Sequence, residues 1–115
     1  MDMPPAIIGQ WCMAIEHVVS GSDTFPYKRC EPEKRTDIIV QAWGYAAHNV
    51  SCTAQSVKQQ STGVWTVMFK CKSFDPVEWD DESEIRKTGY GFTMHWKHSN
   101  IRKSEPQRYR LLGPQ

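Results

Sequence analysis

No run in the 115 residues approaches the roughly 18 consecutive apolar residues that cross a bilayer as a helix. Charge of one sign is also missing. Fourteen Lys and Arg stand against 13 Asp and Glu, a formal net charge of +1. No overall field therefore steers the chain toward nucleic acid or an anionic membrane. Helical periodicity is absent apart from one turn at Pro4-Pro5-Ala6-Ile7-Ile8, where proline suits the first helical positions. There is no internal repeat and no low-complexity segment. No C-x-x-C, H-E-x-x-H, G-x-S-x-G, P-loop or dinucleotide-binding fingerprint occurs, which leaves no cofactor to expect and no constellation for an enzyme. The opening Met1-Asp2-Met3-Pro4-Pro5-Ala6 has no signal-peptide pattern.

What is present suits one folded domain of modest core. The apolar fraction is 39% and the charged fraction 23%, too apolar for disorder. Five Trp, four Tyr and four Phe favour strands. Short runs alternate between turn signals, as half-buried strands do. They are Gln10 to Glu16, with Trp11, Met13 and Ile15 on one face; Pro26 to Cys30; Thr36 to Ala42; and Asn49 to Val57. The clearest follows, with Trp65, Val67, Phe69 and Cys71 alternating with Thr66, Met68, Lys70 and Lys72. Then come the acidic Glu78 to Lys87; the run with Phe92, Met94 and Trp96 on one face; and Gln107 to Leu112. Trp43-Gly44-Tyr45 reads as a turn. About eight short strands imply an all-β fold, an eight-stranded antiparallel up-and-down barrel or a barrel-like sandwich.

Four cysteines, Cys12, Cys30, Cys52 and Cys71, are widely spaced, which favours disulfides over zinc or free thiols. Sequential strands usually pair. Of the three connectivities, Cys12–Cys30 with Cys52–Cys71 therefore ranks first, each closing a loop of roughly 20 residues worth about 3 kcal/mol. Disulfides imply a periplasmic or secreted protein, and hence a mature form whose leader was replaced by an initiator Met.

Ile7-Ile8-Gly9-Gln10-Trp11 resembles the opening of calycin-like barrels: lipocalins, fatty-acid-binding proteins, avidins and small bacterial metalloprotease inhibitors. The resemblance implies a helical turn leading into G-x-W on the first strand, with the Trp plugging one barrel end. It also implies a cation from the last strand over the indole, here Arg108 or Arg110. By similarity to the inhibitors, residues 1–8 form an N-terminal extension that enters a partner's cleft. The pattern Trp11-Cys12, Tyr27-x-Arg29-Cys30, Gly44-Tyr45-x-x-His48-x-x-Ser51-Cys52 and Cys71 is similar to a group of small exported four-cysteine proteins of alphaproteobacteria.

Candidate sites each carry a plainer reading. His95 and His98 are three apart on a strand, which places them on opposite faces. His17 and His48 lie near turns, so no metal or catalytic histidine site is expected. The carboxylates Asp75, Glu78, Asp80, Asp81, Glu82 and Glu84 can hold a cation or simply form a solvated edge. Lys97, His98, Arg102, Lys103, Arg108 and Arg110, with Trp96 and Tyr109, can bind a polyanion. The acidic run beside them makes protein docking the better reading. Asn49-Val50-Ser51 is a formal glycosylation acceptor inside a strand. Trp11, Trp65, Phe69, Phe92 and Trp96 share faces that either fill a core or line a pocket for one small apolar ligand. The functional expectation is a non-catalytic binding protein, an inhibitor or docking partner of another protein, with an apolar-ligand carrier as the alternative.

Overall fold

The stretch from Trp65 to Lys72 alternates because its strand has one wet face and one dry one: Val67, Phe69 and Cys71 are buried while Met68, Lys70 and Lys72 are exposed. The computed structural model, which describes residues 2–74 and 77–99 (the last two by backbone only), repeats this pattern around a closed barrel. Its strands are β1 (Gly9–Met13), β2 (Thr24–Arg29), β3 (Ile38–Gln41), β4 (Gly44–Ala47), β5 (Val50–Ser61), β6 (Val64–Ser73), β7 (Glu78–Lys87) and β8 (Gly91–Ser99). Every neighbouring pair is antiparallel. From β3 to β8 the chain runs up and down, each strand beside the next. β1 lies between β2 and β3, so residues 30–37 cross over it.

The strand between Trp43 and His48 is the main departure from the sequence reading. The turn is at residues 42–43, and Gly44 begins β4. Gly44 has φ +151°, and a Cβ there would collide with the Cys52 carbonyl of β5. Glycine thus serves close strand packing here, not a turn. The run Gln107 to Leu112 lies outside the described residues. The first run is also shorter than its alternation suggests. β1 ends at Met13, whose N–H goes to the Asp37 carboxylate (2.7 Å), and Ile15 leaves the core face in a short 3-10 turn, Ile15–His17. Asn49, at φ 63°, sits in the turn before β5 and not in a strand.

Residues 2–8 belong to the fold. A 3-10 turn, Pro5–Ile7, lies at the Gly9 end of β1, and Met3 and Ile7 are buried in the barrel core. Met3 N–H donates to the Ala42 carbonyl (2.9 Å), and the Trp11 indole N–H donates to the Ile7 carbonyl (2.8 Å). The expected free extension is therefore pinned at both ends. The cation over Trp11 is Arg29, with Cζ 4.1 Å from the ring centroid; Arg108 and Arg110 lie outside the described residues. Trp11 and Arg29 are register partners, so their side chains share one face.

Both disulfides follow the expected pairing, Cys12–Cys30 and Cys52–Cys71. Cys52 and Cys71 face each other across β5 and β6 inside the barrel. Cys12 points outward from β1, and its bond to Cys30 ties the crossover segment down over that strand.

Candidate functional site

The barrel interior is filled at the levels where a ligand chamber was a possibility. Trp11 meets Phe92 edge-on with ring centroids 5.0 Å apart, Tyr27 stacks on Phe92 at 5.2 Å, and Tyr45 meets Phe69 edge-on at 5.0 Å. Trp11, Phe69, Phe92 and Trp96 are buried, and Trp65 packs against them half-buried. A chamber wide enough for water leaves accessible surface on its lining, and these four described side chains have almost none. Two polar atoms in this interior, the Tyr27 hydroxyl and Ser83 Oγ, have no hydrogen-bond partner among the described residues. Burial, with the charge of Asp37 adding to it, pushes the Tyr27 phenol well above its ordinary range.

The acidic run resolves into a strand. Asp81 turns inward and is buried, while Asp80, Glu82 and Glu84 face out. Lys70 pairs with Asp80 (3.6 Å), Lys97 with Glu82 (3.5 Å) and Arg86 with Glu84 (3.2 Å). β7 is thus an anionic strand set between cationic neighbours, a cross-strand arrangement that favours this register. Among the described residues no group of three or more His, Cys, Asp and Glu is placed to hold a metal ion. His95 faces outward and shares a 2.7 Å hydrogen bond with Thr24 Oγ1; His17 stacks on Tyr90; His48 is in a turn. Asp75, Arg102, Lys103 and Tyr109, and the side chain of His98, lie outside the described residues.

The outer face of β1 and β2 is the most distinctive surface. The loop between them, residues 14–23, presents Ile15 (63% exposed), Val18 (43%) and Val19 (66%) within five residues. Single exposed apolar residues are ordinary, and here three lie within five residues of one loop. The loop is well anchored. Ala14 N–H donates to Pro26, Ser22 N–H to Val19 (3.2 Å) and Trp96 N–H to Asp23 (3.0 Å). Glu16 pairs with Lys28 at 3.0 Å, and His17 lies flat on Tyr90 with ring centroids 4.1 Å apart. A backbone hydrogen bond at Glu16 and the Lys28 ammonium hold the Glu16 carboxyl below its usual value.

Beside this loop, and sharing Lys28 with it, is a cleft of about 300 Å³ between the crossover segment and β1–β2. Cys12, Lys28, Glu31, Lys34, Arg35 and Asp37 stand in its walls. None of the exposed apolar loop residues was picked out from sequence as a site. Ile15 continued the alternation of Trp11 and Met13, and nothing local signals that the strand stops. Val18-Val19 beside the polar Ser20-Gly21-Ser22-Asp23 was the available clue.

Compared with protein-family models, with curated proteins and with solved structures, the chain matches none. No helix among the described residues is long and apolar enough to cross a membrane. The two disulfides fit a protein of an oxidising compartment.

Proposed function

We propose that this chain is a non-catalytic binding protein of the periplasm or the extracellular space, which docks on another protein through the β1–β2 loop. The observation that carries the reading is the exposure of Ile15, Val18 and Val19 on a loop tied down by the Glu16–Lys28 pair and the His17–Tyr90 stack. A loop held in one conformation loses little entropy on binding, so its apolar contacts are available for affinity. It is an exposed loop on a strand scaffold, which suits a partner with an apolar site. The filled interior favours this over the apolar-ligand carrier. The inhibitor reading also moves, from residues 1–8 to this loop, because Met3 and Ile7 are core residues.

The test is capture of partner proteins from periplasm or culture medium on the immobilised chain. Each captured protein is then titrated against the wild type and against Ile15→Asp/Val19→Asp. The expected result is one partner bound by the wild type and weakened by about 100-fold or more in the variant, the effect of losing two well-buried interface anchors. Equal binding by a variant with unchanged thermal stability removes this loop as the docking surface.

A further inference from the structure

The two disulfides span 18 and 19 residues in sequence, so loop-closure entropy treats them alike. Their surroundings do not. Cys52 and Cys71 are 0% and 1% exposed inside the barrel, where an attacking thiolate arrives only if the β5–β6 region opens. Cys12 and Cys30 lie outside the barrel. Cys30 is half-buried, and Cys12, 8% exposed, forms part of the wall of the 300 Å³ cleft. Lys28, Lys34 and Arg35 stand around that cleft against Glu31 and Asp37, and Lys28 is shared with Glu16. With Glu16 counted these charges balance, so it is the place of Lys34 and Arg35 on the crossover segment, and not a net field, that favours the approach of a thiolate and the departure of another, the two charged species of thiol–disulfide exchange.

The Arg35 carbonyl oxygen lies 3.0 Å from Cys12 Sγ, on the segment that the disulfide holds down. The far end of the crossover segment is held without the disulfide. Asp37 accepts the Met13 N–H (2.7 Å) and donates its own N–H to the Trp11 carbonyl (2.9 Å), and Thr36 Oγ1 donates to Gln10 Oε1 (3.1 Å). Loss of the S–S bond therefore frees residues 30–35 and leaves β1 in the barrel.

We propose that Cys12–Cys30 is an exchange site for a dithiol reductant of the oxidoreductase class, opened and re-formed with the barrel intact. One thiolate of the dithiol attacks Cys30 Sγ, the more accessible sulfur. The Cys12–Cys30 bond breaks, and its electron pair leaves on Cys12, which takes a proton. The second sulfur of the dithiol, deprotonated, then attacks its own partner in the mixed disulfide and expels Cys30 as a thiolate, which is protonated in turn. The dithiol ends as a disulfide, and its two electrons and two protons reside on Cys12 and Cys30. Release of residues 30–35 widens the cleft beside the β1–β2 loop.

The native full-length chain is incubated with graded dithiothreitol, quenched in acid, alkylated and mapped by peptide mass spectrometry, with near-ultraviolet circular dichroism recorded in parallel. The expected result is reduction of Cys12–Cys30 at least about 10-fold faster than Cys52–Cys71, with the aromatic signal of the core retained. Joint reduction of both pairs, or loss of the core signal together with the first pair, overturns the proposal. A second measurement compares 2-mercaptoethanesulfonate with uncharged 2-mercaptoethanol on Lys34→Glu/Arg35→Glu. The sulfonate is expected to slow several-fold more than the neutral thiol at low salt. Equal slowing of both, or none, removes Lys34 and Arg35 from the exchange and overturns the site.

Discussion

Gly9 shows how one missing methyl group shapes the end of the barrel. At φ +142°, its Cβ would lie 2.8 Å from Nη1 of Arg29, the guanidinium that covers Trp11. Gly9→Ala is expected to cost about 1–3 kcal/mol through backbone strain and displacement of Arg29. Arg29→Ala alone costs about 0.5–1 kcal/mol, the value of a cation over an indole at an exposed site. In urea titrations the Gly9→Ala cost should shrink in the Arg29→Ala background, because the clash is then absent. Tyr27 makes a second prediction. Its buried phenol stays protonated at pH values where the unfolded chain ionises it. Its folded pKa is raised, so its contribution is intact below the unfolded value of about 10 and is lost as pH climbs through and beyond it. Tyr27→Phe should flatten the fall in stability above about pH 10 by up to about 1.4 kcal/mol per pH unit, read from denaturation midpoints across that range.

β7 explains why an acidic stretch folds as a strand. Its outward carboxylates face Lys70 on β6 and Lys97 on β8, and its inward positions include Trp79 and Ile85. Lys70 and Asp80 are well exposed and Lys97 and Glu82 partly so, and each pair is worth only a few tenths of a kcal/mol to about 1 kcal/mol. Lys70→Glu/Lys97→Glu should lower stability by about 1–2 kcal/mol in dilute buffer and by clearly less in 1 M salt, where screening acts over about 3 Å. A salt-independent loss means that packing, not charge, was disturbed. The strand over Glu78 to Lys87 was the least legible of those read from the sequence, because it is so acidic and sets Asp81 and Ser83 among its inward positions. β4 was not legible, because Gly44 carries a strong turn signal and only its contact with Cys52 of β5 shows another use.

The whole barrel depends on its N-terminal plug. Ile7 is fully buried, and its carbonyl takes the Trp11 indole N–H. Ile7→Ala is expected to cost about 2–5 kcal/mol, the range for truncating a buried aliphatic, and deletion of residues 2–8 should cost more. Thermal melts of the two variants measure this. Melting unchanged from the wild type in both refutes the assignment of this segment to the core.

Period-two alternation and four well-spaced cysteines were enough to read an all-β chain, a barrel of about eight strands and the correct disulfide partners, because pleat periodicity and sequential strand pairing are local rules. The candidate docking loop, the cleft and the unequal exposure of the two disulfides were not legible. Each depends on the order of strands around the barrel. Placing β1 between β2 and β3 sends residues 30–37 across its outer face, buries Cys12 beneath them and leaves Ile15, Val18 and Val19 in water. No spacing within the chain encodes that crossing, which follows from which strands close the ring.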